Sequence, residues 1–164
     1  MKPIRIAVAL SALLAVTGAA RTGFAAGQTF TASLVGREEV LPISTEGKGF
    51  FVATLDSTET SVSFFLSYFA MAGTPTVSHL HFAPKGVAGG IMAFLCGGGS
   101  RPACPAPGTP VTGTLTAADV VGPTGQLVSA GEFAELVRAL RAADVYVNVH
   151  SDLAVAGEIR GQIQ

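Results

Sequence analysis

Hydrophobic and polar positions alternate with a period of two along most of this chain from residue 28 onward. In QTFTASLVG, Phe30, Ala32 and Leu34 fall on one face and Thr29, Thr31 and Ser33 on the other, which predicts a half-buried strand. GFFVATLD and SVSFFLSYFAM repeat the alternation. The polar segment Asp56-Ser57-Thr58-Glu59-Thr60 between them has hairpin length, so two adjacent antiparallel strands are expected. TVSHLHFA, IMAFL, VTGTL, DVYVNVH and GEIRGQI complete about eight short strands punctuated by Gly and Pro. This spacing predicts an all-β fold, an antiparallel β-sandwich or Greek-key barrel.

Two segments break the alternation. Ser129-Ala130-Gly131-Glu132 has the form of a capping box, and after it Phe133, Leu136, Val137 and Leu140 recur at helical spacing, predicting a short helix with one apolar stripe on the core. Thr116-Ala117-Ala118-Asp119 repeats the capping pattern on a smaller scale. With no internal repeat and no long linker, one domain is expected.

Residues 1–25 have the pattern of a secretory signal peptide. Lys2 and Arg5 precede an apolar run from Ile6 to Val16, and Gly23-Phe24-Ala25 offers small residues for cleavage. The mature domain is then expected over residues 26–164, with cleavage after Ala20 as the alternative. The apolar run is well short of the roughly 20 residues that cross a bilayer, so no membrane span is expected and the location reads as secreted or periplasmic. Without the leader the chain keeps seven basic residues against 11 acidic ones, a net charge of −4. Nucleic acid and anionic membrane surfaces, which both need a basic face, are disfavoured as partners. Cys96 and Cys104 stand close together in a Gly/Pro-rich stretch, a pattern that in an exported chain favours a disulfide. A metal–thiolate site is the competing reading, but a lone C-x7-C lacks the spacing of zinc sites.

The chain has three histidines, His79 and His81 in HLH and His150 at the end of VYVNVH. On a strand, positions i and i+2 share a face, their Cα atoms about 6.5 to 7 Å apart, so two imidazoles can converge on one ion while Leu80 faces the other way. Val145, Val147 and Val149 make the opposite face of the later strand apolar, leaving Tyr146, Asn148 and His150 together. If these strands are neighbours, His79, His81 and His150 can surround one metal ion, copper first and zinc as the alternative. Hydrogen-bonded histidines at a polar strand boundary are the competing reading. Asn148 is a candidate partner for the second nitrogen of a ligating imidazole. Arg160 is either an ion-pair partner of Glu158 or an anion guide. Met71 and Met92 are either soft axial ligands or core filler. No Ser/His/Asp order, phosphate loop or motif-placed carboxylate pair is present.

The segments FTASLVGREEVLPISTEGKGFFVATLD, SHLHFAPKGVAGGI, GTLTAADV and AADVYVNVHSDLAVAGEIRGQI resemble the CHRD (chordin-type) domain, also found as a stand-alone secreted module, from about Gln28 to Gln164. HLH before a Pro/Gly turn, and YVNVH followed by GEIRGQ, carry the resemblance most specifically. Phe82 and Ala156 stand where the family commonly has Gly, and CGGGSRPACPAPG is an elaboration. HLH and VNVH are also similar to the copper-ligand strands of Cu/Zn superoxide dismutase. That similarity implies copper ligands at His79, His81 and His150 and a substrate-guiding role for Arg160. No histidine lies between Phe82 and Val111, so the bridging imidazole and the zinc site have no counterpart. Three functions follow as expectations: a non-enzymatic copper buffer or carrier, favoured; a copper-only oxidoreductase of dismutase type; and an extracellular interaction or matrix module that contacts another exported protein.

Overall fold

The computed structural model describes residues 27–164, so the leader expected over residues 1–25 lies outside the described residues. The alternation is realised as eight strands: β1 (Thr29–Val35), β2 (Lys48–Leu55), β3 (Val62–Phe69), β4 (Pro75–Phe82), β5 (Gly90–Cys96), β6 (Val111–Leu115), β7 (Val145–Ser151) and β8 (Ile159–Gln162). One helix, α1 (Phe133–Arg141), lies between β6 and β7. Every pairing is antiparallel, and the strands form one sheet in the order β5-β4-β7-β8-β1-β2-β3-β6. The sheet curls until its edges, β5 and β6, approach each other, which makes the fold a nearly closed barrel.

The inward positions are those expected from the pattern. Phe30, Ala32 and Leu34 of β1 meet Phe51, Ala53 and Leu55 of β2, with Leu80, Val147 and Val149 completing the opposite wall. Asp56 shapes the β2–β3 turn: its Oδ1 accepts hydrogen bonds from the backbone N–H groups of Thr60 (2.8 Å) and Ser61 (2.7 Å). Helix α1 buries Phe133, Leu136, Val137 and Leu140 as expected. Its start is shifted, however. The Ser129 N–H donates to Glu132 Oε2 at 2.6 Å, but Gly131 adopts φ +86° and the helix begins only at Phe133. The smaller capping pattern yields one 3-10 turn, Ala117–Asp119.

Cys96 and Cys104 form the expected disulfide, with Cα atoms 4.9 Å apart. The loop it closes spans the barrel seam. Arg101 Nη2 pairs with Asp119 Oδ1 (2.8 Å) and donates to the carbonyl of Thr114 on β6 (2.9 Å). The Tyr68 hydroxyl of β3 donates to the carbonyl of Pro105 (2.7 Å). The disulfide therefore ties one barrel edge to a loop anchored on the other.

One departure from the pattern positions the site. Polar residues on the outer face of β4, β7 and β8 should be wet, yet β7 is buried on both faces from Val145 to Val149. Residues 83–89 and 152–157 bond to side chains on this face, and the segment after β1 brings Glu39 beside it, so that together they cover it. Lys85 Nζ and Glu38 Oε2, 3.0 Å apart, tie two of these segments together.

Candidate metal centre

Register alone sets a small grid on this covered face. Across β4 and β7, Val77 stands opposite His150, His79 opposite Asn148, and His81 opposite Tyr146. Across β7 and β8, Asn148 stands opposite Arg160 and Tyr146 opposite Gln162. Since directly opposed side chains lie about 5 Å apart, HLH and VYVNVH are brought into one cluster by strand pairing. The β4–β5 ladder shifts register just before the HLH segment, between Ser78 and His79, and again within it, between Leu80 and His81.

The three imidazoles converge. His79 meets His81 and His150 edge-on, with ring centroids 4.5 and 4.6 Å apart, and one nitrogen from each ring lies within 4.8 Å of the others. His79 is 4% and His81 9% exposed, so the face expected to be open is closed, and His150 is the more accessible member.

Hydrogen bonds fix which nitrogens face inward. His81 Nδ1 lies 2.8 Å from the carbonyl of Gly89, and His150 Nδ1 lies 2.9 Å from that of Val155. A carbonyl can only accept, so each Nδ1 carries the proton and each Nε2 presents a lone pair. Those two Nε2 atoms and His79 Nδ1 are buried and have no hydrogen-bond partner. A buried polar nitrogen without a partner is costly, and three of them gathered in one cluster form a donor set suited to a cation. The residues present fit a metal ion.

The electrostatics agree. Burial, followed by the proximity of His81 and His150, pushes His79 down to about 3. Burial pushes His81 down to about 4, and His150 also lies below the ordinary imidazole value because of burial. All three are therefore neutral at pH 7, the form that ligates.

Asn148 is buried beside the cluster, directly opposite His79 across the β4–β7 ladder. Arg160 departs from both of its expected roles. It is 2% exposed and forms no ion pair with Glu158, which is itself buried and accepts from Thr45 Oγ1 (2.8 Å) and the Ala72 N–H (2.6 Å). The Arg160 guanidinium instead donates to the carbonyls of Val87 (2.9 Å) and Pro84 (3.4 Å) and lies over the Tyr146 ring, 3.3 Å from its centroid. A side chain so enclosed braces the covering loop and has no exposed charge with which to guide an anion. Met92 belongs to the barrel core and Met71 packs against it, the core-filler alternative.

The sequence reading missed Glu39. Its carboxyl adjoins Asn148 and Arg160, and burial raises it to about 7 against the pull of the arginine. The only signal was GREEV immediately after a strand, and nothing in its spacing indicates that the chain folds back there. Gly157 has φ +126°, and a side chain at that position would collide with the Glu39 carboxylate and the Asn148 amide.

A family model, the CHRD domain, matches residues 30–163. The chain belongs to the CHRD domain family. The match encloses all eight strands except the first residue of β1, and with them the three histidines, Asn148, Arg160 and Glu39. No curated protein and no solved structure matches this CHRD domain.

Proposed function

We propose that this CHRD domain binds one transition-metal ion, copper first and zinc second, through His79, His81 and His150, and serves outside the cytoplasm as a metal buffer or carrier. The observation that carries this reading is the set of three buried, neutral, unpartnered imidazole nitrogens converging from two strands. Imidazole suits copper and zinc, and copper(II) stands above zinc in affinity for nitrogen donors. Asn148 and the carbonyls of Gly89 and Val155 would hold the ligands in orientation, as outer partners do in metal sites. The disulfide and the leader pattern support an extracytoplasmic place of action. The dismutase alternative would need an exposed guiding charge, which the enclosed Arg160 does not provide. The third alternative, an interaction module, has the exposed rings of Phe50, Phe65 and Phe69 in its favour.

Elemental analysis of the domain purified from its native compartment tests the reading. About one equivalent of copper per chain is expected. A metal-free protein that takes up neither copper nor zinc on incubation would refute it.

A further inference from the structure

The outer face of the barrel carries a three-layer stack. The His81 imidazole lies against the Tyr146 ring, centroids 4.6 Å apart and planes 6° from parallel, and the Arg160 guanidinium carbon sits 3.3 Å from the centroid of the same tyrosine. The guanidinium is therefore no more than about 8 Å from the His81 ring. Its position is fixed from several sides: Arg160 is held by the Val87 and Pro84 carbonyls, and Tyr146 Oη accepts weakly from the N–H of Gly89, whose carbonyl holds His81.

From this arrangement we infer that the Arg160–Tyr146–His81 stack makes the site selective for oxidation state, favouring copper(I) over copper(II). The inference rests on the metal-binding reading above and concerns which ion that site prefers. The reasoning is electrostatic. Three imidazoles are neutral donors, so no ligand charge compensates the ion. A fixed positive charge close by disfavours a dication more than a monocation, and burial limits solvent screening. At an effective dielectric constant near 20 and a separation of about 8 Å, the extra unit of charge changes relative affinity by up to roughly thirtyfold, and by about tenfold once Glu39 offsets part of it. Glu39 is the group that opposes it. Its carboxyl lies beside Arg160 and Asn148, and when ionised it offsets part of the arginine's field. The tyrosine transmits no charge in this account. Its ring holds the cation at a fixed spacing from the ligand.

Affinities for the two ions can be measured separately on the disulfide-intact domain. Copper(I) is competed anaerobically against bicinchoninate, and copper(II) against nitrilotriacetate. Arg160→Gln keeps a donor for the loop carbonyls but removes the charge, and should lower the copper(I)-to-copper(II) affinity ratio by about tenfold. Glu39→Gln should raise the ratio, and it decides the matter if the arginine variant does not fold. A ratio that moves less than about threefold in Arg160→Gln, or that fails to rise in Glu39→Gln, would overturn the inference while leaving the metal site standing. A parent domain that binds neither ion would remove the metal site itself, and the inference with it.

Discussion

His79 and His150 stand about seventy residues apart in the sequence, yet their rings meet edge-on with centroids 4.6 Å apart. They are diagonal neighbours across β4 and β7, and that pairing inserts the late strand β7 between β4 and β8. The convergence of the histidines is thus a consequence of sheet topology, and the following expectations test the separate parts of the proposed metal site.

Acid should destabilise the metal-free domain. In the unfolded chain the imidazoles titrate near 6.5, whereas burial holds His79 down at about 3 and His81 at about 4. Between these limits the unfolded state binds more protons. The histidine contribution is therefore complete above about pH 7 and is lost as pH falls from about 6.5 toward 4. Glu39 acts in the opposite sense: raised to about 7, its contribution is present at low pH and lost as pH rises from about 4.5 to 7. With several histidines against one carboxyl, the urea midpoint should drop between pH 7.5 and 5, and more steeply in Glu39→Gln. A midpoint that rises toward pH 5 in the parent would contradict the burial of these rings.

Leu80, between the two histidines of β4, is fully buried in the barrel core. Leu80→Ala should cost roughly 2 to 5 kcal/mol in denaturant unfolding. Copper stoichiometry should be preserved, because the ligands stand on the other face of the strand. Loss of the metal from a still-folded Leu80→Ala protein would show that the two faces are not separable.

Gly157 allows the segment after β7 to pass over Glu39 and Asn148. Gly157→Ala combines an unfavourable positive φ with a collision and should cost roughly 1 to 3 kcal/mol. It should also weaken copper binding, since Val155, whose carbonyl orients His150, belongs to the same turn. Unchanged stability and affinity would remove this glycine from the account.

The strands were legible in the sequence because they depend on the two-residue period, and the histidine cluster was legible only on the condition that β4 and β7 are neighbours. That period placed Phe30, Ala32 and Leu34 inside and put His79 and His81 on one face. The burial of that face was not legible. A strand reports which residues share a side, but whether the side is wet depends on loops, here residues 83–89 and 152–157 and the turn that carries Glu39. For the same reason Arg160 read as an exposed charge, although its partners are the carbonyls of Pro84 and Val87, set by tertiary contact. The displaced start of α1 has a local cause, the left-handed conformation of Gly131 between Ser129 and Glu132.

The disulfide should matter for stability and little for the site. Closing its short loop contributes roughly 2 to 3 kcal/mol in the chain-entropy model. The Cys96→Ser, Cys104→Ser double variant should lose about that much while keeping the copper affinity of the parent. A large loss of copper affinity would mean that the barrel seam and the histidine face are coupled.

Copper titration of the parent domain against the triple variant His79→Ala, His81→Ala, His150→Ala bears most directly on the central claim. The parent should bind one copper ion per chain and show a rise in unfolding temperature that grows with free copper, as expected for a ligand bound only by the folded state. His81→Ala alone should lose most of the affinity, and the triple variant should show neither binding nor stabilisation. A folded triple variant that binds copper as tightly as the parent would contradict the account and place the site elsewhere on the domain.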